Sequence, residues 1–502
     1  MSAQFPVAYS NALFGAINGQ GFNMDALQVA EARRGLAELS DYLSKAESVG
    51  YQTPASMSPD GGNLAALSVQ SIDSMVTDVT GYKESDFTFY KMLPREKATQ
   101  TVHEWRSQTS RGNRYFSGRA GEGNVGVNNQ SEFATGSVRI KYWIEQRALT
   151  YQAGQIQGLM GSNTTLETKN AVIEQLKRIE VDSMFASSAV DELAIDGVFT
   201  QIKAASEVAS NTNPLGLKTY FDKEGGEVTF EEIASHLEQL EEPTVGGTPK
   251  VILVTQRLYT DLTNKARRQT VNMQSSAETK DFRWGQDGLY IKSPSGECKV
   301  MSVKFMDQQV FLGKGPTAAA GGSAVPATPT IAGVTSPVNA ASKFLAGDAG
   351  SYIYRVMAVH NENGISACAQ SSATAIAAGD SGNIEITNPG SNAPQFYRVF
   401  RSVKGGAAAT CQLIGEIAYD DGGATTFIDL NTERNNCGKM LIWNPSKEDL
   451  AWYDLLPTVK INLPMVALTQ PFVVFSSGAV VVKATAKQRI INNIGLTSIG
   501  LA

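Results

Sequence analysis

Arg111-Gly-Asn-Arg-Tyr-Phe-Ser-Gly-Arg-Ala-Gly-Glu-Gly-Asn-Val-Gly126, followed by Ser137-Val-Arg-Ile-Lys-Tyr-Trp-Ile-Glu-Gln-Arg-Ala-Leu149, is the stretch on which the fold turns. The second run alternates, with Val138, Ile140, Tyr142 and Ile144 on one face, and reads as a strand. Together with residues 98–105 it predicts the two arms of a hairpin. Between the arms lies a tip, residues 106–136, rich in glycine and arginine. Compact domains rarely carry a structureless loop beyond about 12–15 residues without a use for it. Gly, Asn, Ser and Arg offer little apolar area to offset the entropy of ordering. The tip is therefore expected to order by lying on another surface. Its candidate contact residues are Arg106, Arg111, Arg114 and Arg119, because a guanidinium pairs bidentately with carboxylates and is enriched at interfaces. Solvated loop charge is the competing reading of the same four.

A long helix follows at residues 163–189. Thr164 and Glu167 have capping-box spacing. Leu166, Ile173, Leu176, Ile179 and Met184 give it one apolar side, with Ile173, Leu176 and Ile179 as its core. About 25 residues at 1.5 Å each make a spine of about 37 Å. Upstream, residues 24–46 read as an amphipathic helix, residues 50–63 as a Pro/Gly/Ser breaker, and residues 86–93 as a short aromatic strand.

Downstream, residues 229–241 read as a helix with acidic residues at its positive end. A buried strand is expected at 250–254, a helix at 256–268, and a hairpin of 289–292 and 299–306 across Pro294-Ser295-Gly296. A Gly/Ala/Pro/Thr linker is expected over 313–335. From there to Cys437 helical periodicity gives way to short strands, at 352–359, 383–386, 395–402, 412–417 and 425–429. That spacing predicts a β-sandwich of about 110 residues. The earlier pattern resumes at 449–456 and 460–462, then two apolar strands at 472–475 and 479–484. The sandwich therefore reads as an insertion into an α/β body.

Bulk properties exclude several classes. A chain of 502 residues exceeds the size at which single cores stop growing, so several domains are expected. The net charge of −6 leaves no overall electrostatic footprint for nucleic acid. No apolar run is long enough for a membrane span, and the start lacks the pattern of a signal peptide. Four scattered cysteines argue against a disulfide scaffold, although Cys411 and Cys437 could meet within one β domain. The three histidines, His103, His236 and His360, lack metal-ligand spacing and read as surface or strand residues. Gly118–Gly123 lacks the strand and helix that dinucleotide binding needs, and no phosphate loop or nucleophile elbow occurs. Asp420-Asp421 reads as a turn and Glu231-Glu232 as a helix start. Lys265, Arg267 and Arg268 read as helix C-terminal charges, with phosphate contact as the alternative. No catalytic, cofactor or metal site is expected.

This order of elements resembles the major capsid proteins of tailed bacteriophages, with the Hong Kong 97-type fold. The resemblance rests on the arm, loop and spine, on Val251-Ile-Leu-Val-Thr-Gln-Arg-Leu-Tyr-Thr-Asp-Leu262, on Asp287-Gly-Leu-Tyr-Ile-Lys-Ser-Pro-Ser-Gly-Glu-Cys-Lys-Val300, and on Pro471-Phe-Val-Val-Phe-Ser-Ser-Gly-Ala-Val-Val-Val-Lys483. Tyr352-Ile-Tyr-Arg-Val-Met-Ala-Val359 and Phe396-Tyr-Arg-Val-Phe-Arg-Ser402 resemble strands of an immunoglobulin-like or fibronectin type III module. The resemblance implies an α+β chain in five parts: an N-terminal arm (1–80), an extended loop (81–150), a spine with peripheral and axial domains (151–315), the inserted sandwich (325–437), and a return to those domains (438–502). It implies a virion protein that self-assembles in the host cytoplasm as hexamers and pentamers of an icosahedral shell. Portal, scaffolding or decoration proteins and non-specifically held double-stranded DNA are the implied partners, with no membrane. The Met at position 1 suggests an arm that is not removed. An adhesin with a fibronectin-like module and a hydrolase with an accessory sandwich are the rival readings.

Overall fold

A computed structural model describes residues 83–112, 122–123, 130–155, 157–158, 161–270, 289–307, 325–389, 391–465 and 468–496. Two compact units divide the chain, Met1–Asp78 and Val79–Ala502, and all the described residues belong to the second. The expected helix at 24–46 and breaker at 50–63 lie outside them.

One strand of 14 residues, Thr469–Val482, organises the first sheet. Its first half pairs antiparallel with Lys141–Thr150 on one side and Val459–Asn462 on the other. Its second half pairs with Leu450–Asp454, to which Arg95–Lys97 adds in parallel. Two strands broken near Gly478 were expected here. Gly478 instead stays in the strand because it lies under the Trp452 ring, where any Cβ would collide. The glycine serves close packing and not a turn.

The spine helix, Asn163–Phe185, lies across this sheet and is about 35 Å long. Its buried positions are Ala171, Gln175, Ile179, Glu180, Ser183 and Met184. Ile179 is fully buried, Ile173 and Leu176 are half-buried against the same core, and Leu166 is exposed. The capping box does not form: Ser162 is the N-cap, and Glu167 reaches Arg147 on the sheet instead. Gln175 fits the interior because its amide donates to the carbonyls of Trp143 and Val474 (2.9 and 3.3 Å).

A six-stranded sheet forms the second layer, in the order Tyr220–Asp222, Arg489–Ile494, Gly438–Trp443, Val251–Thr255, Gly296–Val303, Leu289–Ser293. Val251–Thr255 is buried on both faces, as its unbroken apolar run requires. Ile252 and Val254 face the helices Phe230–Glu241 and Gln256–Thr270, through Ile233, Leu237, Leu258 and Leu262. Val251 and Leu253 face the spine helix and the helix Val198–Ala205, through Ile179, Met184 and Ile202. Gly438–Trp443 and Arg489–Ile494, both absent from the periodicity reading, supply the middle of this sheet. Strands from both sides of residues 325–437 thus build one sheet.

The aromatic strand expected at 86–93 is a 3-10 turn, Glu84–Asp86, and a short helix, Thr88–Met92. Its rings point in three directions: Phe87 to Phe305, Phe89 to Trp443 and Tyr90 to Trp452. A strand presents only two faces and could not place them so.

Within 325–437, Thr330–Thr335, Gly382–Thr387 and Ala424–Asp429 make a three-stranded sheet. Thr330–Thr335 replaces the end of the expected linker. Gly364–Ile365, Tyr354–His360, Phe396–Arg401 and Gln412–Ala418 form a second sheet, joined by Ala369–Gln370, and Gly350–Tyr352 pairs with Thr374–Ile376. Tyr354, Val356, Tyr397 and Val399 of the second sheet share one core with Ile384, Ile386 and Phe427 of the first. The far face of the second sheet, with Met357, Val359, Phe396 and Phe400, packs on Val190 just after the spine. Buried Arg401 pairs with Asp429 at 2.7 Å, and the Tyr354 hydroxyl donates to the same carboxylate at 2.8 Å.

Candidate functional site

The hairpin pairs Val102–Ser110 with Glu132–Arg139. Its second arm ends sooner than the alternation predicted. Ile140 is buried, its N–H donates to Thr101 O, and it turns the chain out of the hairpin and into the first sheet. The two arms are held face to face by Trp105, whose ring covers Gly136 directly opposite. A Cβ at Gly136 would strike that ring. One hairpin face is half-buried at its base, where His103 stacks on Tyr453 with centroids 3.8 Å apart. Asn211 of the body takes a hydrogen bond from Ser107 Oγ at 3.2 Å and donates to Thr135 O at 3.0 Å. The other face shows Glu104, Arg106, Thr135 and Arg139 to solvent.

The candidate arginines therefore separate. Arg106 is within a strand, opposite Thr135, and not in the tip. Arg111 is exposed just beyond the last pair. Arg114 and Arg119 lie outside the described residues.

A second surface adjoins the hairpin base. In Lys141–Thr150 the residues facing the spine are Trp143, Glu145, Arg147 and Leu149. Glu145 pairs with Arg178 at 2.9 Å and Arg147 with Glu167 at 2.8 Å, both on the spine helix. Tyr142 and Ile144, read as sharing one face with Val138 and Ile140, are 48% and 59% exposed, whereas Ile140 is buried. Register carries this outward face across three strands: Ile144 lies beside Phe475 and Val459, and Gln146 beside Val473 and Ile461. The Tyr142 and Phe475 rings stack at 5.7 Å. Ile461 is 48% exposed, and Leu468 at the strand end 70%. Both faces of the sheet carry apolar side chains: Trp143, Leu149, Phe472 and Val474 face the spine together with the ion pairs, and Tyr142, Ile144, Val459 and Ile461 face water. A contiguous exposed apolar face of this kind marks an interaction surface.

His236 sits in the helix Phe230–Glu241, buried, and not on a surface or strand as expected. Arg489 can only donate, so His236 Nδ1 accepts from it, at 3.1 Å. Burial, with Arg489 beside it, pushes the His236 pKa down to about 4. His360 Nδ1 accepts the backbone N–H groups of Glu362 and Asn363. All four cysteines are free thiols, Cys411 and Cys437 included. Lys265 pairs with Asp261 and Glu227 at 3.1 and 3.2 Å, while the side chains of Arg267 and Arg268 are outside the described set. No metal-binding group of His, Cys, Asp or Glu occurs among the described residues, and none of their helices is long and apolar enough to cross a membrane.

The SU10 major capsid protein family is matched over residues 60–314, just over half of the chain. The chain belongs to that family. The match spans the hairpin, the spine and four strands of the six-stranded sheet of this capsid subunit. The major capsid protein of Staphylococcus phage K is 21% identical over 455 residues, covering 88% of this chain and 94% of that protein. Among solved structures, the capsid asymmetric unit of cyanophage A-1(L) has a TM-score of 0.44 at 12% identity, covering 85% of this chain and 97% of that one. The mature capsid of bacteriophage PhiM1 has a TM-score of 0.43 at 10% identity, covering 89% and 99%. The comparisons give the adhesin reading no support. The α+β architecture and the role of phage major capsid protein stand.

Proposed function

We propose that this capsid subunit assembles, without catalysis, into the icosahedral shell of a tailed phage around double-stranded DNA. The arrangement is of the Hong Kong 97 type, with the arm at 1–80, extended loop at 81–150, spine and domains at 151–315 and their return at 438–502. The observation that carries the reading is the outward apolar sheet face beside the base of a hairpin that leaves the body. A two-stranded hairpin is marginal alone and gains stability by lying on something. An apolar face gains by losing water, at about 25 cal/mol per Å². Between copies of one chain, each feature answers the need of the other. Many such modest contacts add up in a closed shell of hexamers and pentamers. Arg106, Arg111, Arg114 and Arg119 would add charge-assisted contacts to the neighbour.

Residues 325–437 form an immunoglobulin-like insertion on the outer surface. What supports this is that the six-stranded sheet takes strands from both sides of the segment, while the segment has a core of its own. Portal, scaffolding or decoration proteins are the expected further partners, with assembly in the host cytoplasm. The test is electron microscopy of purified protein lacking residues 111–129, alongside Ile144→Asp. Soluble subunits that form no shells support the reading, and normal particles from both variants overturn it.

A further inference from the structure

Glu180 and Asp182 lie two residues apart on the spine helix and point to opposite roots of the hairpin. Glu180 is buried, and its two carboxylate oxygens accept the backbone N–H groups of Phe89 and Tyr90, at 2.9 and 2.7 Å. Those residues open the short helix that leads, through Arg95–Lys97, into the first arm. Asp182 accepts the indole N–H of Trp143 at 2.7 Å. Trp143 stands three residues after Ile140, where the second arm ends. One short stretch of helix therefore grips the chain both before and after the hairpin.

We propose that Glu180 and Asp182 are positioning residues that hold both roots of the extended hairpin on the spine helix, so that the hairpin's pose follows the helix. The roots belong to different strand pairs, Arg95–Lys97 with Leu450–Asp454 and Lys141–Thr150 with Thr469–Val482, and Trp452, on which Tyr90 and Trp143 both pack, is their shared apolar support. An ionised carboxylate suits both contacts, because it accepts at either oxygen and charge-assisted hydrogen bonds are the stronger kind. Burial opposes that charge, so protonation of Glu180 relieves a desolvation cost larger than the loss of one accepting oxygen.

The surroundings leave this charge finely balanced. Burial pushes Glu180 up to about 7, against its two N–H partners and the nearby charge of Lys91. Burial likewise raises Asp182 to about 6, with Glu416 adding to the rise while the Trp143 N–H, Arg398 and Arg178 oppose it. The groups facing the pair are thus Lys91 before the hairpin, Arg178 on the spine, and Arg398 and Glu416 on the strands Phe396–Arg401 and Gln412–Ala418. Both are raised above their ordinary values, so the gripped state holds its protons more tightly than an opened one, and mild acid should favour the grip while rising pH loosens it.

The test is hydrogen exchange of the purified, unassembled subunit, read as protection of residues 102–110 and 132–139 at about pH 8 and about pH 5.5. It compares wild type with Glu180→Gln, Asp182→Asn and Trp143→Phe. In wild type we expect protection to rise about ten-fold from about pH 8 to about pH 5.5, because the raised Glu180 carboxyl takes up its proton in the gripped state. Glu180→Gln and Asp182→Asn, with no carboxyl left to titrate, should each show a reduced acid response, and Trp143→Phe should already be low at about pH 8. If Glu180→Gln does not fold, Asp182→Asn and Trp143→Phe still test the second root, where the Asp182–Trp143 contact is only part-buried. Hairpin protection equal to wild type in the folded variants, or an acid response unchanged by them, overturns the proposal. The proposal rests on the assembly reading only for its consequence. A negative result with unassembled subunits leaves that reading standing, and failed shells with an intact grip count against that reading alone.

Discussion

At Arg401 and Asp429 a single pair shows how charge is tolerated inside the segment 325–437. The guanidinium also reaches Asn431 Oδ1 and Glu433 O, at 2.8 and 3.0 Å, and lies over the rings of Phe344 and Tyr352. Removing one partner leaves the other charge buried, which costs about 3–5 kcal/mol. Arg401→Met should therefore lower stability by that order, measured by denaturant unfolding. Replacing both by matched apolar groups should cost much less, since no charge is then stranded. His236 gives a pH prediction of definite sign. Its folded pKa, about 4, is below the ordinary 6.5, so the folded state binds the proton less tightly than the unfolded chain. Its contribution is present above pH 6.5 and is lost as pH falls toward 4, about 3 kcal/mol in all. Glu180 acts oppositely: its raised pKa favours the folded state in acid and costs stability as pH rises through 7. The two slopes overlap, so wild type alone hides both. The stability difference between wild type and His236→Gln isolates the histidine, and should shrink steadily between pH 6.5 and 4. A difference independent of pH would mean that His236 is not held neutral.

The spine helix shows at the scale of an element why a face cannot be chosen by counting apolar residues. Its inward side carries Gln175, Glu180 and Ser183 between Ala171, Ile179 and Met184. Glu180 accepts from, and the Gln175 amide donates to, backbone groups of neighbouring segments, while Ser183 donates to Glu180 O within the helix. Ile179→Ala should cost about 2–4 kcal/mol by leaving a cavity at a fully buried site. Leu166→Ala, near the exposed start, should stay within about 0.5 kcal/mol. Equal melting temperatures for the two variants would show the helix rotated from this arrangement. The hairpin obeys a similar local rule. Gly136→Val should displace Trp105 and open the pairing, seen as faster exchange over residues 102–110 with the body unchanged.

For the whole molecule, the junction between segment 325–437 and the six-stranded sheet is a continuous polar network. Lys343 pairs with Asp222, Asn493 donates to the same carboxylate, and Arg434 joins Asp348 to the backbone near Lys343. Asn492 adds a contact to Glu433. The segment is thus fixed in orientation by charge and amide contacts, with an apolar contact at Val190. Lys343→Met with Arg434→Leu should leave both cores folded but make residues 431–437 open to limited proteolysis. Unchanged cleavage would show that the apolar contact alone holds the segment.

What the sequence by itself determined was the type and order of elements wherever one period dominated. The apolar run at 251–255, the amphipathic turns of 230–241 and the hairpin at 289–303 are fixed by local pattern, because each has one way to bury its side chains. Tertiary structure decided the rest. The alternation from Val138 to Ile144 puts four residues on one face, but the chain passes from one strand to another at Ile140, which is buried while Tyr142 and Ile144 are exposed. Buried Trp143 and the ion pairs with Glu167 and Arg178 set which side of the second strand turns inward. Residues 88–92 became helical because Glu180, 91 positions away from Phe89, supplied the acceptor for their first N–H groups. Gly478 stayed in a strand because Trp452 needed the space above it. In each case the deciding partner is distant in sequence, and a local pattern carries no record of it.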